Sequence, residues 1–167
     1  MIKPKKIIGV DPGLINTGWA IIESLGSHDK YVSHGVIITK SNESLEKRLN
    51  KIFTELLVIF EKYSPEVVAV EKIFSNKNPE SSLKLGKARG IVFLTAGRNN
   101  LVVNEYSPNT IKKNLVGYGH ADKNQIIQML KRLYPNLHLT SEDAADALAV
   151  AICHSMQKNS KIGLSLK

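Results

Sequence analysis

Four acidic residues stand where acids are costly. Asp11 closes the Ile- and Val-rich run "KIIGVD" and is followed at once by Pro12 and Gly13. Glu71 closes "EVVAVE", and Asp143 and Asp146 lie in "SEDAADALAVA", a segment otherwise made of alanines and aliphatics. A carboxylate at the end of a buried run is expensive to desolvate unless something compensates it. A cap, a turn, a nucleotide phosphate reached through a metal, or a catalytic ion would each serve. The i, i+3 spacing of Asp143 and Asp146 puts both on one helical face, their Cβ atoms about 5–6 Å apart. Ala147, Val150 and Ala151 share that face, so it points inward. A helix-start acid complementing the macrodipole accounts well for Glu142 and Asp143. It accounts less well for Asp146, a turn further in.

Strands that end in Asp11 and Glu71 can bring their side chains together if they are parallel neighbours, because parallel strands share a carboxyl edge. Four like charges then need cations to hold them. Hard oxygen ligands without a His or Cys cluster suit Mg²⁺, and two such ions about 3.5–4 Å apart clamp the attacking and leaving oxygens of a phosphodiester. The other metal-binding residue types offer no competing site. Cys153 is the single cysteine and sits in the apolar "ALAVAICHSM", where it reads as a small buried hydrophobe. His28, His34, His120, His138 and His154 show no metal-ligand spacing and read as structural or surface residues, and Trp19 reads as core.

The elements that must position these acids follow from periodicity. Residues 6–11, "WAIIES" and 31–40 are β-rich and suggest a three-stranded antiparallel meander, with "GLINTG" as the turn after the first strand. Leu45, Leu49, Ile52, Phe53, Leu56, Leu57 and Phe60 recur at three and four, which predicts an amphipathic helix stopped by Ser64-Pro65. "EVVAVEKIF" is continuous enough to be a strand buried on both faces. A helix from about Pro79 contains Gly86 and Gly90, then come a short strand in "LVVNEYS", a helix with Pro108 in its first turn, a helix over roughly 122–133 and a last helix in "TSEDAADALAVAICHSMQ". The order predicts an α/β fold with a mixed five-stranded sheet flanked by helices. Residues 1–156 make one domain, and the basic tail 157–167 shows no period and is expected to be poorly ordered.

A chain of 167 residues holds one full domain with a core. No apolar run approaches the 18 or so residues of a membrane span, and the N-terminal apolar run is too short for a secretory signal. No membrane partner is expected, and the cytoplasm is the expected location. The net charge of +8 favours a polyanionic partner, nucleic acid above all.

Taken together and in order, "IIGVDPGLINTGWAII", "VVAVEKIF", "SSLKLGKARG", "LVGYGHADKNQI" and "DAADALAVAICH" resemble the RuvC family of Holliday junction resolvases over about residues 6–155. The resemblance implies a ribonuclease-H-like fold that works as a homodimer and cuts four-way DNA junctions by paired symmetric nicks in recombination and repair. It implies Mg²⁺, two ions per subunit with Mn²⁺ able to substitute, and products with 5′-phosphate and 3′-hydroxyl ends. The family's catalytic, metal-holding acids fall on Asp11, Glu71, Asp143 and Asp146, the residues that spacing alone had singled out. Some relatives carry a histidine at the third acid, where this chain has Asp143. The family's active-site lysines match Lys112, with Lys113 adjacent, and Lys123. Its base-stacking aromatic matches Phe74, a contact of a kind worth about 1–3 kcal/mol. The glycine-bearing helix "SSLKLGKARGIVFLTAG" resembles the dimer-forming helix, and a RuvA–RuvB branch-migration complex is the implied protein partner.

Lys72, Lys77, Lys84, Lys87, Arg89 and Arg98 form a basic stretch that is a candidate DNA face or simply a solvated surface. An actin-like sugar or acetate kinase also opens on a strand and "DxG", but it needs a second lobe and a second phosphate loop. An RNase-H-like nuclease acting on RNA or on another branched DNA is the nearer alternative, since fold does not fix substrate. A junction-binding module without catalysis would have no use for four acids in apolar settings.

Overall fold

The structure, a computed structural model, describes residues 3–26, 28–72 and 79–165, with side-chain surroundings to residue 158. Three strands open the chain: β1 (Lys5–Asp11), β2 (Asn16–Ser24) and β3 (Asp29–Ile38). They are followed by α1 (Leu45–Tyr63), β4 (Val67–Glu71), α2 (Pro79–Arg98), β5 (Val103–Tyr106), α3 (Pro108–Val116), α4 (Lys123–Leu133) and α5 (Glu142–Ser165). The five strands form one mixed sheet in the order β3-β2-β1-β4-β5. The first three strands make the expected antiparallel meander, whereas β1–β4 and β4–β5 are parallel.

Alternation along the central strands divides the core in two. Ile8 and Val10 of β1, Ile21 of β2 and Val68 and Val70 of β4 face α1 and α2, where Ile52, Leu56, Phe60, Ala88, Val92 and Ala96 meet them. Ile7, Ala20, Ile22 and Ala69 face the opposite way, onto α3, α4 and the alanine-rich α5. Val68, Ala69 and Val70 are all fully buried, as a strand covered on both faces requires. Among the described residues no helix is long and apolar enough to cross a membrane.

Two boundaries differ from the sequence reading. β2 begins at Asn16 rather than at Trp19, because Thr17 and Gly18 join the ladder and Gly18 stands opposite Asp11. The backbone of α5 stays helical to Ser165, across the boundary placed at 156. The segment "QKNSKIGLS" lacks an apolar stripe but is rich in residues that tolerate helix and has no proline. Absence of periodicity did not mark the end of the helix.

Candidate active site

β1 and β4 run parallel in a register that pairs Val10 with Val70, so Asp11 and Glu71 are the next residues on adjacent strands at the same sheet edge. The turn that leaves Asp11 is held by Thr17, fully buried, whose hydroxyl donates to the Gly13 carbonyl at 2.6 Å and accepts from the Gly13 N–H at 3.4 Å. The third and fourth acids arrive from α5. Ser141 caps this helix, its Oγ accepting from the Ala144 N–H at 3.1 Å.

Two glycines let α5 lie close enough to reach the strand ends. A Cβ on Gly18 would stand 2.0 Å from the Asp143 carbonyl oxygen, and one on Gly9 would stand 1.9 Å from that of Ala147. Only a residue without a side chain fits under the helix backbone at either point. Gly18 is also the ladder partner of Asp11. One glycine therefore sets the spacing between the first acid and the helix that carries the other two.

The four acids stand within electrostatic reach of one another. Burial pushes the Asp11 carboxyl up to about 7, and the charges of Asp146, Glu71 and Asp143 push in the same direction. Glu71 is raised by burial and by Asp146, while Lys112 pulls it down. Asp146 is raised chiefly by burial, with Lys123 opposing the shift. Burial is the first cause in all three, and the like charges that folding brings to this cleft add to it.

Lys112 and Lys123 stand inside this cluster. A pocket of about 260 Å³ is lined by Glu71, Pro108, Ile111, Lys112, Lys123, Ile126, Asp146 and Ala149. Lys123 reaches Glu142 at 2.8 Å and Asp146 at 3.4 Å, and its ammonium is pushed above its ordinary value first by the hydrogen bond to Glu142. It is placed by the capping box of α4, in which Asp122 and Gln125 cap each other's backbone N–H groups. Lys113, by contrast, faces a separate groove with Asn109, Thr110, Gly119 and His120.

The donor set fits a hard divalent cation. It is all oxygen, partly buried, and its mutual repulsion is what a bound cation relieves. Among the described residues no group of three or more His, Cys, Asp or Glu side chains is by itself gathered tightly enough to hold an ion. The acids therefore meet at electrostatic range rather than as a closed cage.

The remaining candidates are dispersed. Lys72 follows Glu71 and is exposed, its N–H donating to the Tyr106 carbonyl at 2.8 Å. Lys84 is exposed and paired with Glu80, and Lys87 is exposed on the same helix. Arg89 turns inward instead: it pairs with Glu105 and lies over the Phe93 ring at 4.6 Å. Phe74 and Lys77 lie outside the described residues. Sequence reasoning passed over Glu142 as a partner of Lys123 and passed over the pairing of half-buried Tyr106 with buried His154. The Tyr106 hydroxyl meets His154 Nδ1 at 2.8 Å and ties the strand beside Glu71 to α5. His154 in "AICHSM" was visible as a polar break in an apolar helix, the one signal that could have flagged it.

Comparison with known proteins agrees with this geometry. The family model described as crossover junction endodeoxyribonuclease RuvC matches residues 7–154. A curated crossover junction endodeoxyribonuclease RuvC from Wolbachia sp. subsp. Brugia malayi is 49% identical over 156 residues, covering 93% of this chain and 96% of the relative. The protein of the same description from Rhizobium etli is 44% identical over 155 residues, covering 93% and 92%. The solved structure of Thermus thermophilus RuvC in complex with Holliday junction substrate superposes with a TM-score of 0.88 at 27% identity, covering 94% of this chain and 96% of that one. With a match that spans both strand-end acids, the lysine-bearing helices and the acidic start of α5, the chain belongs to the RuvC family of crossover junction endodeoxyribonucleases.

Proposed function

We propose that this protein is a structure-selective endonuclease that resolves four-way DNA junctions by paired symmetric nicks. The observation that carries the reading is the convergence of Asp11, Glu71, Asp143 and Asp146 on one sheet edge, with Lys112 and Lys123 beside them. Relatives with this activity in their names match nearly the whole chain.

Asp11, Glu71, Asp143 and Asp146 would hold two divalent cations, Mg²⁺ in the first place and Mn²⁺ as a substitute. When bound, these ions supply Lewis acidity to the attacking water and to the departing 3′ oxygen, leaving 5′-phosphate and 3′-hydroxyl ends. The chain's own contribution is placement and charge. The four carboxylates fix where the phosphodiester must sit, at the open edge of the sheet. Lys112 and Lys123 line the same pocket and offset charge that gathers on the phosphate. Lys123 is held in place by Glu142 before any substrate arrives, so its ammonium needs little reorganisation.

Symmetric incision needs two equivalent sites, which a two-fold dimer provides. The surface of α2 supports dimer formation through that helix. Leu83 and Leu94 are 67% and 52% exposed, and added carbons at Gly86 and Gly90 would meet nothing within 4 Å. Lys84 and Lys87, exposed on this helix, and Lys72, exposed after β4, are the basic residues offered to DNA, and a RuvA–RuvB branch-migration complex is the protein partner this activity calls for.

The test is cleavage of a synthetic four-way junction beside duplex and single-stranded controls, with Mg²⁺ and with EDTA. Paired symmetric nicks confined to the junction, lost with EDTA and in Asp146→Asn, are expected. Cutting of an RNA–DNA hybrid or of another branched DNA in preference to the four-way junction would refute the junction reading while keeping the nuclease.

A further inference from the structure

Thr39 follows the last residue of β3 and is 3% exposed, and both its N–H and its hydroxyl are engaged. Its N–H donates to the Ile15 carbonyl at 2.8 Å, and its hydroxyl donates to the Leu14 carbonyl. The same hydroxyl accepts from Nε of Arg48 at 3.0 Å. Leu14 and Ile15 belong to the turn that leaves Asp11. One buried hydroxyl thus ties Arg48, near the start of α1, to the loop that sets the first acid of the site.

Arg48 is half-buried, and its remaining guanidinium hydrogens, four on the two Nη atoms, are directed by a fixed Nε. Among the described residues it takes part in no ion pair. The other arginines near the core are otherwise occupied, Arg89 by Glu105 and Arg98 by the Phe53 ring. A guanidinium fixed at one nitrogen and open at two is preorganised for an anion that accepts two parallel bonds, and a phosphodiester is such an anion.

Topology puts Thr39, which holds this fork, at the sheet edge that carries the acids. β1 ends at Asp11, β2 runs back from Asn16, and β3 returns to Ile38, so Thr39 lies on the same sheet edge as Asp11 and Glu71. Within the sheet order, β3 is on the far side of β1 from β4 and β5. Lys112 and Lys123 occupy the β4 side with Glu71. We infer that Arg48, oriented by Thr39, is a phosphate-anchoring residue that grips a DNA phosphodiester on the side of the acidic cleft away from Lys112 and Lys123. The inference deepens the nuclease reading and rests on it. A strand held at two points, one on each side of the acids, cannot pivot, and a phosphate between them is presented in one orientation.

The test compares wild type, Arg48→Met and Arg48→Lys for binding to a synthetic four-way junction in Ca²⁺, by fluorescence anisotropy across about 50 to 200 mM salt. Arg48→Met should bind roughly ten-fold more weakly at low salt. Its slope of log affinity against log salt should be shallower by about one phosphate contact. Arg48→Lys keeps the charge without the fork, so it should retain the slope and recover part of the affinity. A scan of single methylphosphonate substitutions should find one position that weakens wild type and leaves Arg48→Met unaffected. If Arg48→Met loses thermal stability but keeps the wild-type slope and methylphosphonate profile, Arg48 is only a tether for Thr39 and the inference is overturned. If Arg48→Met does not fold, Arg48→Lys with the same scan decides between the same two outcomes. A wild type that neither binds nor cuts the junction overturns the nuclease reading itself, and this inference with it.

Discussion

Replacing Asp11 by asparagine should make the metal-free protein more stable at pH 8 while abolishing cleavage. The carboxyl of Asp11 ionises near 3.8 in an unfolded chain and is pushed up to about 7 in the folded one, by burial first and then by Asp146, Glu71 and Asp143. Between those values the folded state holds a proton that the unfolded state has released. Stability contributed by this residue is therefore present at acid pH and lost as pH rises from about 4 to about 7. A shift from 3.8 to about 7 is about 3 pK units, and at about 1.4 kcal/mol per unit it costs about 4 kcal/mol at pH 8. Asparagine keeps the shape, removes the charge and relieves that cost, less what its buried amide loses in hydration.

The assay is urea unfolding in EDTA at pH 5 and pH 8, for wild type and Asp11→Asn, with the slope checked for constancy. The difference between the two proteins is the quantity to read, because other groups titrate in the opposite sense. His154, buried and pushed down to about 4, favours folding more as pH rises from about 4 to 6.5. Asp11→Asn should gain on wild type by a few kcal/mol on going from pH 5 to pH 8, and saturating Mg²⁺ should close the gap by stabilising wild type. Parallel pH profiles for the two proteins would refute the argument that folding buries the Asp11 carboxyl among other acids at a cost to its charged form.

Four further substitutions probe the scaffold and the lysines. Gly18→Ala puts a carbon 2.0 Å from the Asp143 carbonyl oxygen, so it should cost about 1–3 kcal/mol in unfolding experiments and lower cleavage further by displacing α5. Lys112→Ala should lower the cleavage rate by ten-fold or more, roughly what one lost transition-state contact costs, whereas Lys113→Ala, facing a separate groove, should cut close to wild type. Tyr106→Phe removes the partner of a 2%-exposed His154, and the unmet ring nitrogen should cost about 1–3 kcal/mol by urea unfolding.

The fold was legible because its elements carry simple periods. The apolar repeat of residues 45–60 became α1, and the alternation of Ile7, Ile8 and Val10 became a strand that serves two cores. Pro79 and Pro108 marked helix starts where the structure has them. What the pattern could not show was set by contacts distant in sequence. Gly18 read as part of a turn because its strand role depends on Asp11 across the ladder and on α5 above it. The helical run to Ser165 was invisible because it carries no stripe to betray it.

At the site, the acids were legible for a physical reason: a charge inside an apolar run contradicts its surroundings and can be noticed in one dimension. Groups that agree with their surroundings cannot. Thr17 and Thr39 are ordinary strand residues by composition, yet both are buried and both spend their hydroxyls on the loop that leaves Asp11. Lys123 sits in a helix start full of polar residues, and nothing local distinguishes its link to Glu142 and Asp146. The residues that hold charge against its surroundings announce themselves, while those that aim it are revealed only by the fold. That division explains why the sequence yields the four acids together and leaves Arg48, an arginine among many basic residues, without a role until its bond to Thr39, at the end of β3, is seen.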